Sequence, residues 1–139
     1  MKFLKESLMK SLKEKQGKLY VCATPIGNLE DITIRVIKML RQVDLIAAED
    51  TRRTIKLLNR YKIKKPIISY YEHNELLRED LFIERLNEGR EIALVSDAGT
   101  PGLSDPGYRL IKRCIDEGIE VEVLPGPCAA ITALIASGL

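Results

Sequence analysis

Between Glu91 and Gly107 the chain reads EIALVSDAGTPGLSDPG, and this stretch restricts the possible folds more than any other. Ile92, Ala93, Leu94 and Val95 are an unbroken apolar run, the pattern of a strand covered on both faces within a parallel sheet. The run stops abruptly at Asp97, and nearly every later position is a residue that turns or helix caps favour, with Asp105 and Pro106 placed to start the next helix. A cap alone needs only the last few of these residues. The DAGTPG portion is surplus to that task, and it leaves the carboxyl end of a parallel strand, where open α/β sheets bind ligands. Gly99, Gly102 and Gly107 also allow close approach to the backbone.

The same grammar recurs along the chain. Leu19–Ala23 runs into Thr24-Pro25-Ile26-Gly27-Asn28, after which Asp31 is placed to cap a helix with apolar positions at Ile34, Ile37, Met39 and Leu40. Leu45–Ala48 ends at Glu49-Asp50-Thr51-Arg52-Arg53 and a short helix. Pro66–Tyr70 ends at Tyr71-Glu72-His73-Asn74, followed by a helix over 76–87 that Gly89 closes. Tyr108–Glu117 is the helix after the fourth strand, and Val121–Leu124 leads through Pro125-Gly126-Pro127 into an apolar helix from Cys128 to Ser137. Five βα units predict an α/β fold: a five-stranded, mainly parallel sheet with helices on both faces and every conspicuous polar loop along one edge. Residues 1–17 stand apart as a helical leader with Leu4, Leu8 and Leu12 on one side, so the domain proper is 18–139. The last helix is apolar nearly all round, which calls for cover by a second subunit or by chain beyond Leu139.

Composition narrows the function classes. No apolar run reaches the ~20 residues of a membrane span, and the leader lacks the apolar core and cleavage site of a secretory signal. Cys22, Cys114 and Cys128 are an odd number without CxxC spacing, which points to a reducing, cytoplasmic setting and to small buried residues rather than zinc ligands or nucleophiles. Net charge is only +2, but basic residues gather at Arg52, Arg53, Lys62, Lys64 and Lys65, a candidate contact for RNA phosphates as well as an ordinary solvated surface. The first βα loop carries a single glycine in place of GxGxxG, and GxxxxGK[ST] is absent, so dinucleotide and P-loop sites are disfavoured. Glu49 and Asp50 could bind Mg²⁺, though a pair capping the following turn is the simpler reading, and no metal site is expected. His73, the single histidine, stands at a strand end, where surface and functional roles are equally open.

Taken together, ATPIGNL, AEDTR, VSDAGTPG and LPGPCAA resemble the loops of the tetrapyrrole methylase superfamily of S-adenosylmethionine (SAM) enzymes, over about Lys18 to Leu139. Ala98-Gly99-Thr100 stands where corrin-type members read Gly-Asp-Pro, which is similar to the branch that methylates a cytidine 2′-hydroxyl in the decoding region of 16S rRNA. The resemblance implies a SAM site formed by Pro25, Gly27 and Asn28, by Asp97, Ala98, Gly99 and Thr100, and by Pro125, Gly126, Pro127, Cys128 and Ala129. It also implies a second α/β domain that closes over SAM, so these 139 residues correspond to the N-terminal part and are expected to fold but not to turn over alone. The implied partners are 16S rRNA within the small ribosomal subunit and, through the apolar last helix, a second copy of the chain. Asp97, His73 and Glu49 are candidates by position for the base that takes the hydroxyl proton. Methylation of a tetrapyrrole or other small molecule is the alternative enzyme reading, and a flavodoxin-like binding module without chemistry is the alternative of another class.

Overall fold

The computed structural model describes residues 1–14, 16–102 and 107–139, apart from the side chains of 12–14. The expected cap at Asp105 and Pro106 and the Leu12 side chain lie outside the described residues. Helix α1 (Lys2–Glu14) precedes an alternation of β1 (Lys18–Cys22), α2 (Ile34–Gln42), β2 (Leu45–Ala48), α3 (Thr51–Arg60), β3 (Ile67–Ser69), α4 (Glu75–Asn87), β4 (Ile92–Val95), α5 (Gly107–Asp116), β5 (Glu120–Leu124) and α6 (Ala129–Ala136). The sheet order is β3-β2-β4-β1-β5 and every neighbouring pair is parallel, so the sheet is wholly rather than mainly parallel.

Alternation along each central strand distributes the core. Leu19 and Val21 of β1, Ile92 and Leu94 of β4 and Leu45 and Ala47 of β2 face Phe82, Ile83 and Leu86 of α4 and Leu110 and Cys114 of α5. Tyr20, Cys22, Ala93, Val95, Ile46 and Ala48 face Val36 and Leu40 of α2 and Leu57 and Leu58 of α3. β1, β2 and β4 are therefore covered on both sides, which is why they read as continuous apolar runs.

One expected cap is corrected. Asp31 does not start α2: it ends a 3-10 turn, Leu29–Asp31, whose cap is Asn28, with the Glu30 N–H donating to Asn28 Oδ1 at 2.9 Å. Thr33 caps α2 instead, its Oγ1 accepting the Val36 N–H at 3.1 Å. Of the expected apolar positions, Leu40 is buried beside Val36, Ile37 and Met39 pack half-buried against the same core, and Ile34 alone is exposed. Gly89 closes α4 with φ +90 as expected. Gly17 does more than end the leader: a Cβ there would sit 1.7 Å from the Arg90 carbonyl oxygen, so the chain passes under the α4–β4 turn only with glycine at this position.

α1 and α6 present apolar side chains to solvent, among them Phe3, Leu4, Leu8 and Met9, and Ile131, Leu134 and Ile135. Among the described residues no helix is long and apolar enough to cross a membrane.

The face formed by α4 and α5 contains one buried acid. Glu79 is 3% exposed, and its Oε2 lies 3.4 Å from Arg109 Nε, near enough for attraction but without a hydrogen bond. Burial raises the Glu79 pKa and Arg109 opposes that shift. The folded chain therefore holds this proton more tightly than the unfolded chain does. Stability falls as pH rises through the unfolded value and on through the raised folded value. Glu79→Gln should remove that fall, so the stability of the variant relative to the parent increases from acidic to neutral pH in urea titrations. Parallel pH profiles would show that Arg109 compensates the charge in full.

Candidate functional site

The connections change face within this wholly parallel sheet. The helices leaving β1 and β2 pack on one face and those leaving β3 and β4 on the other, so the neighbours β1 and β4 send their connections to opposite sides. The crevice between their carboxyl ends is the topological switch point, where open α/β sheets hold ligands.

Two loops meet there through a short antiparallel bridge. The Thr24 N–H donates to the Gly99 carbonyl and the Gly99 N–H to the Thr24 carbonyl, each at 2.9 Å. Thr24 Oγ1 donates to the Ser96 carbonyl at 3.3 Å, and the Ser96 hydroxyl lies 3.1 Å from the Ala98 carbonyl. Gly99 has φ +80, a conformation that side chains strain, so the expectation of a special backbone there holds. Its own N–H, however, is engaged by Thr24 rather than turned to a ligand. The DAGT loop also reaches the PGP loop after β5: Thr100 Oγ1 lies 3.5 Å from the Pro127 carbonyl oxygen. Gly126 packs so closely on β1 that a Cβ would fall 2.8 Å from the Ala23 Cβ.

A cleft of about 380 Å³ opens on the α3 side of the bridge. Pro25, Gly27, Asn28 and Asp97 line it, together with Thr24, Leu29, Arg53, Thr54, Lys56, Leu57 and Ser96. Gly27 is exposed, and a Cβ there would meet nothing within 4 Å, so the glycine leaves space rather than relieving a clash. Asp97 is anchored by the neighbouring strand, its Oδ1 accepting the Asp50 N–H at 3.0 Å. Asp50 in turn caps α3 by accepting the Arg52 N–H at 2.9 Å, and it pairs with the Arg52 guanidinium at 3.1 Å. That pairing lowers the Asp50 pKa, with the Arg52 side chain as the largest cause. Asp50 is thus the capping residue foreseen as the simpler reading of the Glu49-Asp50 pair.

The other expected site residues are dispersed. Ala98, Gly99, Thr100 and the 125–129 segment lie outside the cleft lining, joined to it through the Thr24–Gly99 bridge. His73 is exposed at the end of edge strand β3, edge-on to Tyr71 with ring centroids 6.2 Å apart. Glu49 is half-buried after β2 and is not in the lining. Lys62, Lys64 and Lys65 precede β3, at the amino edge of the sheet, whereas Arg52 and Arg53 start α3 at the carboxyl edge. The ten residues of α3 separate the two groups by about 15 Å, so they do not form one patch. Lys56 was missed by sequence reasoning, although its spacing of three from Arg53 on a helix leaving a strand end was a usable signal.

A family model for tetrapyrrole (corrin/porphyrin) methylases matches residues 18–139. A protein of Thermotoga maritima named ribosomal RNA small subunit methyltransferase I is 57% identical over 122 residues, covering 88% of this chain and 55% of that protein. The protein of the same name from Escherichia coli O157:H7 is 55% identical over 124 residues, 89% of this chain and 43% of its own. The chain thus spans about half the length of these curated relatives. Among solved structures, uroporphyrin-III-C-methyltransferase from Thermus thermophilus superposes with TM-score 0.67 at 23% identity, covering 88% of this chain and 53% of its own. The cobalt precorrin-4 methyltransferase of cobalamin biosynthesis gives TM-score 0.69 at 21% identity, covering 92% and 52%. At these identities the two structures establish the fold alone.

The cysteines differ in ways that can be read out. Burial pushes the thiols of Cys22 and Cys114 up to about 12, whereas Cys128 is half-buried at the start of α6. A thiol reagent at mildly alkaline pH should modify Cys128 alone in the folded chain and all three after denaturation. Rapid labelling of a second thiol before unfolding would contradict the packing of β1 or α5.

Proposed function

Because this chain belongs to the tetrapyrrole (corrin/porphyrin) methylase family, we propose that it forms the cosubstrate-binding part of a SAM-dependent methyltransferase acting on a cytidine 2′-hydroxyl of 16S rRNA. The observation that carries the reading is the switch-point crevice, where backbone hydrogen bonds tie the ATPIGN loop to the DAGT loop and the Thr100 hydroxyl, 3.5 Å from the Pro127 carbonyl oxygen, reaches the PGPCA loop. The substrate class rests on the relatives, whose printed name specifies small-subunit ribosomal RNA, at 53% to 58% identity. A non-catalytic flavodoxin-like module has no observation in its favour. The tetrapyrrole alternative is supported by the description of the family and by fold likeness at 21% to 23% identity, and by none of these relatives at 53% to 58% identity.

The loops suit SAM. Pro25, Gly27 and Asn28 offer an open wall, and on the other side of the Thr24–Gly99 bridge the DAGT loop meets the segment after β5 where Thr100 Oγ1 approaches the Pro127 carbonyl oxygen. SAM supplies an electrophilic methyl group on a sulfonium. The chain's own task is then to align a ribose hydroxyl with that methyl group, exclude water and accept a proton. Of Asp97, His73 and Glu49, Asp97 alone lines the cleft, and with Oδ1 held by the Asp50 N–H its Oδ2 is the oxygen available to take the hydroxyl proton. No residue of this site is assigned to a metal.

The exposed apolar surface of α6 is assigned to a two-fold homodimer. Sedimentation of the full-length protein should show a dimer that Leu134→Glu converts to monomer; an unchanged dimer would place the interface elsewhere.

The functional reading predicts methyl transfer from SAM to small ribosomal subunits and none to porphyrinogens. Gly99→Val should reduce SAM affinity at least tenfold by calorimetry with the circular dichroism spectrum retained, because the side chain forces the loop out of φ +80. Transfer to a porphyrinogen instead of rRNA would reverse the substrate assignment. Unchanged SAM affinity in the variant would remove the DAGT loop from the site.

A further inference from the structure

The α3 wall of the cleft is chemically unlike the rest. Arg53 and Lys56 are three residues apart on one helix face, both exposed and both in the cleft lining. Among the described residues of the lining they share the cleft with a single carboxylate, Asp97, which is already held by the Asp50 N–H. Neither cation is in an ion pair among the described residues. The adjacent Arg52 differs: it is committed to Asp50, through Nε at 3.2 Å and a terminal nitrogen at 3.1 Å, and it is absent from the lining. Two uncommitted cations on one wall of a cleft, beside a neutralised third, are a handle for an anion.

We propose that Arg53 and Lys56 form a subsite for a backbone phosphate of the RNA substrate, and that Arg52 has no part in it. The inference rests on the functional reading above and gives it an entry wall. Two anions could use such a handle, a phosphate of the RNA or the carboxylate of SAM. Topology favours the phosphate. The loops assigned to SAM leave β4, β1 and β5, whereas Arg53 and Lys56 rise on the helix after β2, on the other side of β4. The pair also lies at the solvent rim, where a polyanion arriving from outside meets it first. A nucleic acid strand bound there sheds condensed counterions as it is neutralised, which makes the contact measurable through salt dependence.

The test compares the full-length wild-type protein with Arg53→Ala/Lys56→Ala and with Arg52→Ala, using a single-stranded 16S rRNA fragment across a potassium chloride series and SAM calorimetry in parallel. The double variant should lower the steepness of log affinity against log salt by up to about 1.4, the contribution of two cations on single-stranded nucleic acid, with SAM affinity unchanged. Arg52→Ala should leave the salt slope as in the wild type. An unaltered slope in the double variant overturns the subsite. So does lost SAM affinity with an unaltered slope, which would assign the pair to the SAM carboxylate. If wild-type protein bound SAM but no RNA, the substrate reading itself would fall, and this inference with it.

Discussion

The pair of hydrogen bonds between Thr24 and Gly99 carries more of this architecture than its size suggests. β1 and β4 are paired in parallel as far as Val21 and Leu94, but the connections that follow them pack on opposite faces, so beyond the ladder the two exits would diverge. The reciprocal bridge holds them together by extending the sheet one step in antiparallel sense beyond its parallel ladder. Gly99 makes this possible, since an αL-like backbone turns the loop back on itself immediately after Asp97 and Ala98. Buried Thr24 and Ser96 then satisfy their hydroxyls on carbonyls of the same loop, so polar groups can be packed at the end of the core without loss.

From that knot the site divides into two kinds of surface. On the β1 and β5 side it is largely backbone, with Gly126 pressed against Ala23 and Thr100 beside the Pro127 carbonyl. On the α3 side it is made of side chains, two basic and one acidic. The charges are ordered by a relay from Arg52 to Asp50 to the Asp97 carboxylate, in which Asp50 serves as helix cap, ion-pair partner and, through its backbone N–H, anchor. Strength in such a relay comes from position rather than energy, for exposed ion pairs contribute little to stability. A backbone-lined half suits close contact with a small polar ligand, and a cationic half suits a polyanion, which is the combination the proposed reaction requires.

The outer elements contrast with this fixed centre. α6 and α1 expose apolar side chains away from the central strands, whose two faces α2 with α3 and α4 with α5 already occupy. Edge strand β5 is likewise only partly covered, although Lys18 bridges Glu120 and Glu122 and Arg35 contacts Glu122 along it.

Local sequence determined the elements. Apolar runs of four or five residues bounded by turn residues are too short for helices and read as buried strands, and Gly89 and Gly118 end helices because a glycine at positive φ costs least. The loop motifs likewise identified the family, since each combines residues whose backbone demands are visible one by one. Strand order was not legible, and with it went the arrangement of the site. That Arg53 and Lys56 share a cleft with Asn28 and Asp97, while Lys62, Lys64 and Lys65 lie about 15 Å away at the opposite edge, follows from which strand pairs with which. The replacement of Asp31 by Thr33 as the cap of α2 depended on one 3-10 turn, a choice between two nearly equivalent local solutions that only packing of Val36 and Leu40 against the sheet resolves. Short-range propensity acts within a few residues, whereas the site is assembled from segments more than 70 residues apart, such as Thr24 and Ser96, that meet only once the sheet has closed its core.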